Sequence, residues 1–439
     1  MSKTFRPWHI DDVWLLPASI HDFVPAGHVA HFIRDTVREG LDQGALLASY
    51  DDERGYPPYQ PAMMTALLLY AYSQGIYSSR RIARACEERV DFMAVTGLNK
   101  PDFRTISEFR RRHLEALKGL FQQVLRLCRQ AGLVKLGHVA LDGTKIKANA
   151  SKHKAMSYGR MKTAEDKLAA EVAAWMKQAE AIDEAEDRAI GREQRGDETP
   201  EWVANKAKRL AKIREAKAAL EAQAKEAVRQ KDGSDPQPPS PPEPPSAEPA
   251  DTAQRNFTDP ESRIMKTNDG FIQGYNGQAA VDAAHQIIVA CDLSNQGADS
   301  PQMLGMVDQI EATIGQRPEQ LSADAGYCSE DNLAGLEERD IDGFVATGRQ
   351  KHGTAAAPTG CAKAGTRRAA MAQKLVDQGH SGPYRLRKQT VEPVFGQIKQ
   401  ARGFRQFLLR GLDKVKAEWV LICTVHNLLK VAATSRIAT

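Results

Sequence analysis

Three acids in this chain stand where side chains could do chemistry. Asp142 closes the apolar run of "HVALDGTKIKANASKH", Asp324 closes that of "LSADAGYCSE", and Glu392 lies in "YRLRKQTVEPVFGQIKQ". Carboxylates brought to one place repel each other unless a cation sits between them. An oxygen-only donor set with open positions suits Mg²⁺ or Mn²⁺, and two such ions roughly 3.5–4 Å apart can drive displacement at a phosphodiester. Lys145 and Lys147, just beyond Asp142, are placed to hold phosphates.

Taken singly, each acid has an ordinary reading. An aspartate before glycine at a strand end is usually a turn residue, and a helical glutamate usually faces solvent. Asp282 and Asp292 also end strand-like runs and read as turn acids. What separates the three is the arrangement that the surrounding elements impose. From Leu133 onward the chain shows five short runs rich in Val, Ile, Ala and Leu: "LVKLGHVALDG", "GFIQGYNGQAAVD", "HQIIVACDLS", "EQLSADAG" and "DGFVAT". Helical segments at 300–315 and 329–340 separate the last three. The order strand, strand, strand, helix, strand, helix, strand predicts a mixed sheet with helices on its faces, in which the first and fourth strands can lie side by side. Asp142 and Asp324 would then share one edge. A helix starting at about Thr390, with Thr390 as its cap and Glu392 and Pro393 in the first turn, would bring Glu392 to that edge; Lys399, two turns on, would share its face.

The length of 439 residues and the apolar share of 42% allow several domains and at least one full core. No apolar run is long enough to span a membrane and the start lacks a secretory signal, so a cytoplasmic protein is expected. The six cysteines are widely spaced, which argues against both a disulfide framework and a zinc site. Net charge is only +4, so any nucleic-acid surface must be regional. One basic region lies within 80–112 and ends in Arg110, Arg111 and Arg112; another, within 385–416, interleaves basic residues with Phe395, Phe404 and Phe407.

Residues 1–135 read as helical, with Pro61 near one helix start, Gly75 near its end, and Thr105 a cap three residues before Glu108. The arginine cluster opening a long helix suits a DNA reader, although a plain helical bundle has nearly the same pattern. Residues 154–231, dominated by Ala, Glu, Lys, Arg and Gln, predict a helical, coiled-coil-like hairpin, and 232–256 a proline-rich linker. The catalytic α/β part is then 136–153 joined to 257–439, and the patch 349–373 reads as loop.

In these residues the chain resembles the DDE-type bacterial insertion-sequence transposases. "ALDGTK", "SADAGY" and Tyr384-x2-Arg387-x4-Glu392-x6-Lys399 are similar to the motifs of members that have an RNase H-like core and a YREK-type signature, and the amino-terminal helical region is similar to the one preceding that core. The signature usually leaves three residues between its arginine and glutamate. Here Arg387 leaves four and Lys388 stands at the usual spacing, so either could be the basic partner. The resemblance implies Asp142, Asp324 and Glu392 as the catalytic, metal-binding triad for two Mg²⁺ ions (Mn²⁺ as substitute). It implies Tyr384, Arg387, Lys388 and Lys399 as DNA contacts beside Lys145, Lys147 and Arg110–Arg112. The substrate would be double-stranded DNA, at the element's inverted repeats and at a target, handled by a dimer or higher oligomer near the nucleoid. The runner-up is an inactive or repurposed DNA-binding relic or regulator. A coiled-coil scaffold would leave the strands unexplained.

Overall fold

The computed structural model describes residues 19–50, 58–190, 201–232, 248–267, 270–348, 365–378 and 382–437. Seven helices come first: α1 (Val29–Asp35), α2 (Gly44–Leu47), α3 (Pro61–Ser73), α4 (Ser79–Glu88), α5 (Val90–Thr96), α6 (Phe103–Arg112) and α7 (Leu114–Gln130). α3 begins on Pro61, whose fixed φ suits a first helical position and whose missing N–H costs nothing there, and it ends just before Gly75, at φ +70°. Two expectations shift here. The cap of α6 is Asp102, which accepts from the backbone N–H groups of Arg104 and Thr105, so Thr105 is inside the helix. Arg110, Arg111 and Arg112 close α6 and do not open the long helix, because the chain turns at His113 before α7 begins.

The sheet then follows: β1 (His138–Lys147), a small β2 (Ala155–Ser157), the hairpin helices α8 (Tyr158–Ile190) and α9 (Glu201–Asp232), β3 (Gln254–Asn256), β4 (Arg263–Thr267), β5 (Gly270–Asp282), β6 (Ile287–Ser294), α10 (Met303–Ile314), β7 (Gln320–Ala323), α11 (Glu330–Glu337), β8 (Asp342–Val345), α12 (Arg367–Gln378), α13 (Leu386–Gly396) and α14 (Leu412–Ile437). The main sheet runs β4-β5-β1-β7-β8, and β6 pairs with the far half of β5. β5 is antiparallel to β1 and β6, while β7 is parallel to β1 and β8 parallel to β7. The first and fourth predicted strands are therefore neighbours, in a mixed α/β fold preceded by helices. β4 is an addition, and residues 367–373 of the expected loop patch open α12; residues 349–364 lie outside the described residues.

α14 unites the halves of the molecule. It packs against α7, α3 and β6, so one apolar core runs from Val24 to Leu428. The boundary expected at 135 is thus a change of secondary structure with no break in packing. Trp419 of α14 donates its indole N–H to Gln278 O at 3.0 Å and lies against Gly277, where a methyl would come within 3.0 Å of its ring. Asn427 both donates to and accepts from the backbone of Ile288 at 2.8 Å, beside an irregularity in the β5–β6 register. The insertion has a small core of its own, Tyr158 and Met161 against Ile213, Ala216 and Leu220. Glu165 reaches Arg214 and Lys217 across the two helices, and β2 pairs with β3 to close the base. The end of the expected linker is therefore β3; the proline tract at 233–247 lies outside the described residues. Among the described residues no helix is long and apolar enough to cross a membrane.

Candidate active site

β1 does not stop at Asp142. It continues to Lys147 because β5 pairs with it along nearly its whole length, from Val139↔Asp282 to Lys147↔Gly274. What ends at this point is the parallel pairing with β7, whose last partners are Leu141 and Ala323. The next residue on each strand is Asp142 and Asp324, so the register sets the two acids side by side where the strands part. Asp324 caps the short turn Ala325–Tyr327, accepting the Gly326 N–H at 2.9 Å. Asp142 accepts from the Gly143 N–H at 2.8 Å and from Arg387 Nη1 at 2.8 Å. Its side chain is only 18% exposed and that of Arg387 10%.

Burial pushes the Asp142 carboxyl up to about 6; the Arg387 guanidinium opposes this, while Asp324 and Asp299 add to it. Burial alone would pull Arg387 down, but Asp142 and Tyr384 outweigh it and hold the guanidinium above its ordinary value. The Tyr384 hydroxyl is pushed up by burial, against the pull of Arg387, whose guanidinium carbon lies 5.9 Å from the tyrosine ring centre. Arg387 is thus the basic residue that reaches Asp142, and Lys388, one position on, is exposed.

The helix carrying these residues starts earlier than expected. A short turn at Pro383–Arg385 leads into α13 at Leu386, so Thr390 is interior and donates its hydroxyl to Leu386 O. Pro393 lies mid-helix, where it removes the N–H that would reach Gln389 O. Gln286 Nε2 donates to that carbonyl at 3.2 Å instead. Glu392 is exposed, about 140° around the helix from Arg387. It makes no hydrogen bond or ion pair among the described residues. Beyond α13 the helix widens at Gln397–Ala401, and Lys399 turns onto β1, donating to Thr144 Oγ1 at 2.8 Å and Lys145 O at 3.3 Å. Burial, with Arg405 nearby, lowers its pKa. A groove of about 650 Å³ opens alongside, lined by Lys145, Lys147, Lys152, His153, Lys399 and Arg405 and by no carboxylate.

The arginine cluster does not form one surface. Arg110 is buried, donating to Tyr72 OH at 2.9 Å, Tyr77 O at 3.2 Å and Ser79 Oγ at 3.3 Å, with Glu418 as a further attraction; that geometry removes it from the phosphate contacts. Arg111 is exposed and pairs with Glu108, while Arg112 donates to Ser49 O and lies over the Tyr50 ring. Asp282 is the expected turn acid, taking the N–H groups of Lys135, Leu136 and Ala284. Asp292 lies within β6 and pairs with Lys416.

One acid escaped the sequence reading. Asp299, in the loop after β6, accepts from Asn276 Nδ2 at 2.6 Å and Gln278 Nε2 at 2.9 Å, and sits against the glycines that follow Asp142 and precede Tyr327. The donor chemistry fits a hard divalent cation, since Asp142, Asp324, Glu392 and Asp299 offer only oxygen. The site is nevertheless open: among the described residues no three acids, histidines or cysteines converge on one point, and Arg387 occupies Asp142 Oδ2.

Residues 18–112 match the family model described as a transposase domain (DUF772), and residues 246–428 match that described as a transposase DDE domain. The second match takes in Asp324 and Glu392; Asp142, outside it and on the other side of the insertion, comes beside Asp324 through the β1–β7 register. No curated protein and no solved structure is matched. DDE transposases are DNA-cutting and DNA-joining enzymes that generally use divalent metal ions. With a transposase domain over 18–112 and a transposase DDE domain over 246–428, the chain belongs to the DDE-type insertion-sequence transposases.

Proposed function

We propose that this transposase binds the ends of its insertion sequence, hydrolyses the phosphodiester at each end and joins the freed 3′-OH to target DNA. The observation that carries the reading is the β1–β7 register, which sets Asp142 beside Asp324 under Tyr384 and Arg387. Asp142 and Asp324, with Glu392 from the exposed flank of α13, would hold Mg²⁺ or Mn²⁺, two ions in the full site. The metal supplies activation of the attacking oxygen and charge neutralisation on the leaving one.

The chain's own residues do the rest. Arg387 keeps the buried Asp142 carboxylate oriented, and Tyr384 supports the guanidinium. Lys399, held against β1, and the groove of Lys145, Lys147, Lys152 and Arg405 offer a phosphate track leading from the acids, as a DNA backbone requires. Each chain has one such acid pair and an element has two ends, which favours a dimer or higher oligomer on the DNA. The test is a nicking and strand-transfer assay with full-length protein and a duplex taken from the sequence flanking the reading frame. Mg²⁺-dependent release of a 3′-OH end and its joining to a second duplex are expected. Binding of that duplex with no nicking in Mg²⁺ or Mn²⁺ would overturn the catalytic reading and leave a DNA-binding relic.

A further inference from the structure

Asp142 and Gly143 are consecutive strand residues, so they face opposite sides of the sheet. Arg387 takes the Asp142 side. On the Gly143 side, a methyl group on the glycine would lie 2.6 Å from Asp299 Oδ1 and 2.6 Å from Gln278 Nε2. Asp299 thus fills the space that a side chain at 143 would need. It also reaches the other acid's segment: a methyl on Gly326 would lie 3.0 Å from Asp324 Oδ1 and 3.2 Å from Asp299 Oδ2. A chain of bonds runs between the two. Gln278 Nε2 donates to Asp299 Oδ1, and the Tyr327 hydroxyl, three residues past Asp324, donates to Gln278 Oε1. Tyr327 is fully buried, and Asn332 fastens the same loop again by donating to Tyr327 O at 2.7 Å and Ser300 O at 2.8 Å.

We propose that Asp299 is a positioning residue that fixes the spacing between Asp142 and Asp324, acting through Gln278 and Tyr327 on the face of the sheet opposite Arg387. The inference rests on the functional reading above, in which these two acids work as a pair. Asp299 Oδ1 accepts both strand amides, and the backbone after each acid is packed against the same carboxylate. A shift of Asp299 therefore moves Gly143 and the Asp324 turn relative to each other. What the position needs is an acceptor of this size; a charge is not required, because both bonds come from neutral amides. Asparagine meets that need with its own carbonyl oxygen and alanine does not.

Two measurements on the full-length protein test this. The first is Mn²⁺ binding without DNA, followed by electron paramagnetic resonance. Asp299→Ala should weaken binding by about tenfold or more, as loss of a group that orients metal ligands does, and Asp299→Asn should restore most of it. The second needs no metal: hydrogen–deuterium exchange over 324–328 should quicken in Asp299→Ala and in Tyr327→Phe, and stay near wild type in Asp299→Asn. Unchanged exchange and unchanged Mn²⁺ binding in Asp299→Ala would overturn the proposal. So would an Asn variant as impaired as the Ala variant, which would make Asp299 a charged ligand. If Asp299→Ala fails to fold, Tyr327→Phe breaks the same chain of bonds while keeping the ring. Wild-type protein that takes up no Mn²⁺ would count against the metal-dependent function, and the exchange result would still decide the positioning role.

Discussion

Replacing Asp142 by asparagine should make the metal-free protein more stable and catalytically dead. The carboxyl titrates at about 6 in the fold against 3.8 when free, so folding favours its protonated form. The sign follows directly. Above pH 6 the folded protein carries an unfavourable ionised group, and the full penalty, about 3 kcal/mol at ~1.4 kcal/mol per pKa unit, is present at pH 8. As pH falls from 6 toward 3.8 the wild type relieves that penalty by taking up a proton, and below 3.8 none remains. Asparagine resembles the protonated acid and can still accept from Arg387 Nη1, whose favourable pull is already contained in the shifted value. The variant should therefore melt about 3 °C higher at pH 8, taking an unfolding entropy of ~2.1 cal/mol/K per residue over the chain. The difference should shrink at pH 4.5. The assay is thermal unfolding in a chelator at both pH values, repeated with Mg²⁺, which should narrow the gap by stabilising only the wild type. A variant that melts no higher than wild type at pH 8, or whose advantage persists undiminished at pH 4.5, would refute the argument.

Other outcomes follow from the same geometry. Asp324→Asn and Glu392→Gln should each abolish Mg²⁺-dependent nicking with DNA binding retained; nicking that survives in either variant removes that acid from the set. Arg110→Met should lower stability by about 3 kcal/mol, since it strips a buried donor from Tyr72 and Tyr77 and leaves Glu418 without its cation, whereas Arg111→Gln should change stability little; denaturant titration separates the two. Lys399→Gln should slow strand transfer from pre-cleaved ends several-fold without moving the Mg²⁺ dependence, and wild-type transfer at physiological salt would leave Lys399 a structural bond to Thr144.

The five strands of the α/β core were legible because each is a short apolar run with its own stop signals. β4 was not: "RIMKT" holds only two apolar residues between an arginine and a lysine, and shows no run. β1 reads as ending at Asp142 because Thr144, Lys145 and Lys147 look like a polar tail, yet the backbone of β5 pairs with them regardless of side chain. The start of α13 was misplaced because Thr390 and Pro393 carry the signature of a helix start. The local signals lost to Arg387, Val391 and Val394, which form one buried face that begins a turn before Thr390. Asp299 lies in "NQGADSPQ", with no periodicity to mark it. Its partners at 276, 278 and 326 meet it only after the strands have registered.

β1 has a peculiar history in time. The strand that carries Asp142 is made before its partners, and the residues between Lys147 and Gly270 take roughly 6–25 s to synthesise at ~5–20 residues per second. β7, which brings Asp324, comes later, and the core beside α7, α3 and β6 stays open until α14 follows α13. A nascent chain still tethered beside its own message and gene thus holds one acid without the other. A copy cut short by a frameshift or stop codon between Glu392 and Leu412 would have all of the acids and still lack the helix that closes the core. Such fragments should misfold or be degraded before the acids can act, so the order of the elements along the chain ties a working acid set to the making of α14.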